Sequence, residues 1–355
     1  MANRKIYFIR EHFDESTRNG SIGNVDIEKI LFRNNYIPLF FPLHFDFSLQ
    51  AKMKRLFYLV RLLITLPENA IVIFQHPMYA AMNKFLVLQL SKRKNIDLIC
   101  IIADINGLKW GNEDILKKEI RWFRQFKYFI VHNEKMQSWL ESNVQAAGAV
   151  KLQFFDFLAK PLEIERINSF DIAFAGNLLK SLFLESLEKL AANSPLVRFH
   201  VYGHGVTPAM QSQSNSIYRG SFKPYELIPG SSPASFGLIW DGDGIDQPAG
   251  SMGHYMPYIC HHKLSLYILC KLPVIVHSDA GSAELVTRFN IGFTINSLFD
   301  IEKKIHSLSD AQYQEMAKNT SALAARISTG ANMQSALDQM IDIIQSERFS
   351  VISSR

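Results

Sequence analysis

Only three of the 355 residues are cysteine. Cys100, Cys260 and Cys270 all sit in or beside apolar segments, which argues against a disulfide framework and for a reducing compartment. No run of about 18 consecutive apolar residues occurs, so no transmembrane helix is expected. The basic start, Met1 to Ile9, turns polar by Glu11, too early for the apolar core of a signal peptide. His254, Cys260, His261 and His262 form the only His/Cys cluster, and their spacing does not match a structural zinc site. Gly20-Ser21-Ile-Gly23-Asn24 is not a GxGxxG fingerprint, which weakens any dehydrogenase reading. The 38 Lys and Arg against 33 Asp and Glu leave a net charge of +5. These bases are scattered and no nucleic-acid module accompanies them, so nucleic acid is not expected as a partner. Internal repeats and low-complexity segments are lacking too, and a chain 48% hydrophobic and 20% charged reads as folded throughout, long enough for two cores.

Short apolar runs alternate with longer periodic segments, the pattern of α/β layers around parallel sheets. In the first half, strands are expected at residues 5–9, 37–41, 70–74, 98–102, 128–131 and 149–152, with helices at 25–33, 50–66, 84–92, 114–126 and 135–145. Further strands are expected at 171–175, 198–202, 217–219, 236–240, 272–276 and 292–295. A charged, proline-containing stretch within 156–169 marks a domain break. Domains are therefore expected at 1–160 and 161–331. The closing segment 332–355 carries Met333, Ala336, Leu337, Met340, Ile341 and Ile344 at helical spacing.

The most informative stretch runs from Phe236 to Glu284. Phe236-Gly-Leu-Ile-Trp240 is followed by a polar loop, a helix beginning near His262-Lys263 and a second apolar run after Lys271-Leu-Pro273. Such a β-loop-α-β unit places a ligand at the carboxyl ends of its strands, where a helix N-terminus offers unpaired amides. Lys263 adds a full charge there, so an anion such as a phosphate or diphosphate is the expected guest. Phe174-Ala-Gly176-Asn177 ends another strand, with Lys180 just beyond. Asp241-Gly-Asp243 could hold a divalent cation, but its composition is that of any loop, and no metal is expected. Glu284 could accept ribose hydroxyls or merely complement a helix dipole. Asp104 and Gln75-His76 end first-half strands. Residues 52–66 are basic and strongly apolar, suiting either an anionic membrane surface or a core helix with a basic edge.

The run His262-Lys263-Leu264 through Pro273-Val-Ile-Val276 resembles the donor-nucleotide segment of GT-B glycosyltransferases, in particular bacterial galactofuranosyltransferases and the glucosyltransferases acting on serine-rich-repeat adhesins. Four further segments match in the same order: Val72-Ile-Phe-Gln75-His-Pro77, Ile101-Ile-Ala-Asp104, Val131-His132-Asn-Glu-Lys-Met136, and Phe174-Ala-Gly176-Asn177 with Lys180. The resemblance implies two Rossmann-like domains with parallel sheets facing a central cleft, the final helix 332–355 crossing back onto the first. It implies a donor side of Gly176, Asn177, Lys180, Tyr202, His262, Lys263 and Glu284, with Lys180 and Lys263 clamping a diphosphate. The acceptor side would hold Gly20, Ser21, Gln75, His76 and His132. A UDP-sugar would be the donor, with no further cofactor, and a hexosyl group, galactofuranose or glucose, would pass to a glycan or glycolipid. Tyr258 and Leu266 stand where many retaining relatives carry glutamates, so inversion is expected, with Asp104 as base. Ala103 departs from the family, which often has His there. A sugar-nucleotide epimerase of the same architecture and a non-catalytic partner subunit are the alternatives. The expected place is the cytoplasm, including the inner face of a bacterial membrane, and a homo-oligomer is compatible with the sequence.

Overall fold

The computed structural model describes residues 4–12, 22–42, 46, 48–223 and 225–353, the last five as backbone. Gly20 and Ser21 lie outside the described residues.

The chain builds two six-stranded sheets, each wholly parallel. The first contains β1 (Ile6–Ile9), β2 (Ile37–Leu39), β3 (Ile71–His76), β4 (Asp97–Ile102), β5 (Tyr128–Val131) and β6 (Gly148–Lys151), in the order β2-β1-β3-β4-β5-β6. The second contains β7 (Asp171–Asn177), β8 (Arg198–His204), β9 (Ser216–Tyr218), β10 (Phe236–Ile239), β11 (Val274–His277) and β12 (Gly292–Ile295), ordered β12-β11-β10-β7-β8-β9. Strands covered by helices on both faces read as nearly continuous apolar runs. Accordingly β3, β5, β10 and β11 are buried at every position. In the second sheet the chain leaves β7 toward β8 and β9 on one side and returns at β10 on the other, so the order reverses beside β7. In open parallel sheets, ligands settle at the carboxyl ends next to such a reversal.

Residues 152–170 carry neither strand nor helix and pass from one sheet to the other. Phe154 and Phe157 pack into the second core, Phe155 into the first. The Asp156 carboxylate accepts from Asn332 N, Asn332 Nδ2 and Met333 N at 3.3, 2.8 and 2.7 Å, and so caps the final helix, Ala331–Ser353. That helix lays Met333, Ala336, Leu337, Met340 and Ile344 into the core of the first domain. No helix among the described residues is long and apolar enough to cross a membrane.

Candidate active site in the interdomain cleft

The carboxyl ends of β7 and β8 meet at two glycines. Gly203 has φ +146°, and a Cβ there would lie 1.8 Å from the Gly176 carbonyl oxygen, so only glycine lets these strands pair to their ends. The helix His262–Leu269 begins directly above Gly176. It is fixed by Tyr267, whose hydroxyl accepts from Ala175 N and donates to Leu238 O, both at 3.0 Å. Gly237 makes room for that ring, since a Cβ would come within 2.3 Å of it.

Lys263, in the first turn of this helix, lies over the Phe174 ring at 4.5 Å and reaches the Asp241 carboxylate at 2.6 Å. His261 Nε2 meets the other Asp241 oxygen at 3.0 Å. Burial alone would raise the Asp241 carboxyl, but the Lys263 ammonium and His261 outweigh it and hold the group well below the usual carboxylate range. Two expectations change. Lys263 is not a free prong but a charge anchored by a buried carboxylate. Asp241 is the anchor rather than loop filler, with each of its oxygens engaged by one of these partners. Among the described residues no three His, Cys, Asp or Glu groups gather as metal ligands.

Beside these groups lies a cavity of about 630 Å³ whose lining includes Gly176, Tyr202, Gly203, His262, Lys263 and Ile22 of the first domain. Tyr202 donates to Ser232 Oγ at 2.8 Å. His262 packs on Phe157 with ring centroids 4.8 Å apart. Burial holds its imidazole down at about 4, hence neutral, and its buried Nε2 has no hydrogen-bond partner among the described residues. The loop bordering the cavity bridges the domains through Tyr225, whose hydroxyl donates to Asp26 Oδ1 at 2.6 Å and accepts from Lys29 Nζ at 3.0 Å.

A second cluster brings Asp104, Lys109 and Trp110 of the first domain to Lys180 of the second. Asp104 pairs with Lys109 at 2.6 Å. Lys180 Nζ stands 5.4 Å from the centre of the Trp110 ring. Burial first, and then Lys109, lower the Lys180 ammonium, while Asp104 and Asp241 act in the opposite sense. The two clusters are joined through the backbone, where Gly242 N, next to Asp241, donates to Lys180 O at 3.3 Å. Asn177 accepts from Leu179 N at 3.1 Å and shapes the turn that presents Lys180.

Other expected site residues fall elsewhere. Gln75 is buried and donates to Asn24 O at 3.1 Å. His76 Nε2 sits 3.1 Å from Glu119, whose carboxylate accepts from Asn106 N and Gly107 N at 2.9 and 2.7 Å. Gln75 thus braces the first turn of the helix Ile22–Arg33, while His76 borders a separate first-domain pocket with Tyr79 and Trp122. His132 is buried at the domain junction, where Cys260 N donates to its Nδ1 at 3.2 Å, and burial lowers it to about 4. Glu284 is exposed and pairs with Arg288 at 3.3 Å along its own helix, away from the donor cavity lining. The sequence reading also missed Asp241 as an anchor, Lys109 and Trp110. The one available signal was Trp110-Gly111 after an acidic strand end.

Residues 5–150 match the N-terminal domain of the glucosyltransferase 3-like family and residues 172–340 match its C-terminal domain. The chain belongs to this family. It is 26% identical over 225 residues to the β-1,6-galactofuranosyltransferase WbbI of Escherichia coli, an alignment spanning 60% of this chain and 63% of that protein. Among solved structures, the sucrose-phosphate synthase of Thermosynechococcus elongatus superposes with a TM-score of 0.65 at 12% identity, covering 97% of this chain and all of that one. Anabaena HepE, solved in complex with UDP-glucose, superposes with a TM-score of 0.60 at 14% identity, covering 96% of this chain and all of that one. These likenesses establish the GT-B fold.

Proposed function

We propose that this protein is a glycosyltransferase moving a hexosyl group, galactofuranose or glucose, from a UDP-sugar to a glycan or glycolipid acceptor with inversion and without a required metal. The observation carrying this reading is the cavity at the β7 and β8 carboxyl ends, where the N-terminus of the helix His262–Leu269 and Lys263 converge beside Gly176. Unpaired amides and a fixed ammonium suit a diphosphate. The neighbouring galactofuranosyltransferase and the UDP-glucose complex of HepE agree with a sugar nucleotide as donor.

In the proposed reaction an acceptor hydroxyl oxygen bonds to the anomeric carbon as the bond from that carbon to UDP breaks. The electron pair leaves with the diphosphate, whose growing charge is met by Lys263, Lys180 and helix amides. The hydroxyl proton passes to Asp104. Lys109 pairs with that carboxylate. Cations built into the cleft take the part that a metal plays elsewhere.

Release of UDP from a panel of UDP-sugars, with and without chelator, tests this reading. One UDP-hexose should be turned over at a rate indifferent to chelation. Activity lost with chelator and restored by manganese or magnesium contradicts the metal-free reading, and interconversion of sugar nucleotides without transfer contradicts transfer itself.

A further inference from the structure

The helix Leu49–Thr65 turns its apolar stripe away from the protein. Its inward face is Ala51, Arg55, Leu59 and Leu62, packed on the first domain. Its outward face carries Leu49, Met53, Leu56, Phe57, Val60 and Ile64, each 47 to 76% exposed. These positions recur every three or four residues and form one continuous stripe along a helix about 25 Å long. Scattered exposed apolar side chains are ordinary, whereas a continuous stripe marks an interaction surface. The helix Ala81–Ser91, which packs beside it, also exposes Phe85.

The charges on this helix are all of one sign. Lys52, Lys54 and Arg61 are exposed beside the stripe, the helix has no Asp or Glu, and Lys84 is exposed next to Phe85. This composition decides the occupant. A symmetric dimer through this face would set the patch against itself. Lys52, Lys54 and Arg61 of each copy would then face their counterparts with no carboxylate on either helix to pair them. An anionic lipid surface meets both features: acyl chains accept the apolar stripe, and headgroup phosphates meet cations on stems long enough to reach them.

We propose that the outward face of Leu49–Thr65 docks the protein flat on an anionic lipid bilayer. The stripe enters the interface between headgroups and acyl chains, and the helix does not span the membrane. This inference rests on the surface alone and stands apart from the donor reading. An acceptor carried on a lipid would fit an enzyme placed there.

The test is sedimentation of the full chain with vesicles of phosphatidylcholine containing phosphatidylglycerol, against vesicles of phosphatidylcholine alone, with UDP binding measured on the same preparations. The chain should partition to the anionic vesicles and be released by salt. Replacing Lys52→Gln, Lys54→Gln and Arg61→Gln together should weaken partitioning about 100-fold, roughly fivefold per cation. Replacing Leu56→Ser, Phe57→Ser and Ile64→Ser should weaken it at least about tenfold. These side chains point to solvent, so both variants should keep the wild-type melting temperature within a few degrees and keep UDP binding. If the apolar variant fails to fold, the charge variant decides alone. Equal partitioning to both vesicle types, or none to either, overturns the proposal. So does a solution dimer that falls to monomer on Phe57→Ser, which would make a second copy the occupant.

Discussion

Lys263 Nζ lies 2.6 Å from the Asp241 carboxylate, joining the first turn of a helix to the end of a strand 22 residues earlier. The pair is mostly buried, with His261 completing the carboxylate's partners. Breaking such a pair from one side strands a charge. Asp241→Asn should therefore destabilise the protein by about 3–5 kcal/mol. The double variant Asp241→Asn with Lys263→Met should lose less than the sum of the two single changes. Urea unfolding of the four proteins checks this, and additive losses would show that the two charges are not coupled.

Lys180 offers a cleaner probe of the donor side, because among the described residues it forms no ion pair with a carboxylate and rests near Trp110 instead. Lys180→Ala should change folding stability by less than about 0.5 kcal/mol. It should cost about 1.5–3 kcal/mol of UDP affinity, the worth of a charge-assisted hydrogen bond. Calorimetric titration decides, and an unchanged affinity removes Lys180 from the diphosphate.

Asp104→Asn retains shape and hydrogen-bonding capacity while losing the ability to take a proton. Turnover should fall roughly 10²- to 10⁴-fold. UDP affinity, which the proposed reading assigns to the other domain, should stay within about twofold of wild type. Near-wild-type turnover across pH would leave another group to remove the acceptor proton.

His262 predicts a pH effect with a definite sign. Burial holds its folded value at about 4 against 6.5 for the free side chain. Between those values the unfolded chain binds the extra proton, so this group makes stability rise as pH increases from about 4 to 6.5 and fall on acidification. His262→Phe removes the contribution. The stability difference, wild type minus variant, should thus shift in favour of the variant by a few kcal/mol from pH 6.5 to 4. Unfolding curves at both pH values measure it, and a difference independent of pH would mean that the folded imidazole titrates normally.

All twelve strands among the described residues were legible, the central ones as apolar runs, because parallel strands covered on both sides need apolar residues on both faces, whereas the edge strands β2, β6 and β9 are partly exposed. Their ends were less so. The expected strand 70–74 continues through Gln75 and His76, whose polar groups find Asn24 O and Glu119, partners distant in sequence. The expected strand 272–276 starts only at Val274, since Lys271 adopts φ +55° and Pro273 has no N–H to give a ladder. The long helix Asp310–Thr329 went unread although Ser309 and Gln312 form a capping box visible in the sequence. In the site, Gly176, Tyr202, His262 and Lys263 meet as the resemblance implied. Asp241 was hidden because Asp-Gly-Asp is ordinary loop composition, and its purpose depends on a helix that the fold, not the sequence, brings to it. Glu284 could not be settled from sequence for the converse reason, since a carboxylate in a first helical turn reads alike whether it faces a ligand or solvent; in the fold it pairs with Arg288.

The central claim is where the donor sits, and a crystal structure of the full chain grown with UDP tests it most directly. The diphosphate should lie against Lys263 Nζ and the N-terminus of the helix His262–Leu269, beside Gly176, with the nucleoside in the cavity lined by Tyr202 and Gly203. UDP bound at another place, or a cavity left empty at millimolar UDP, would contradict the account.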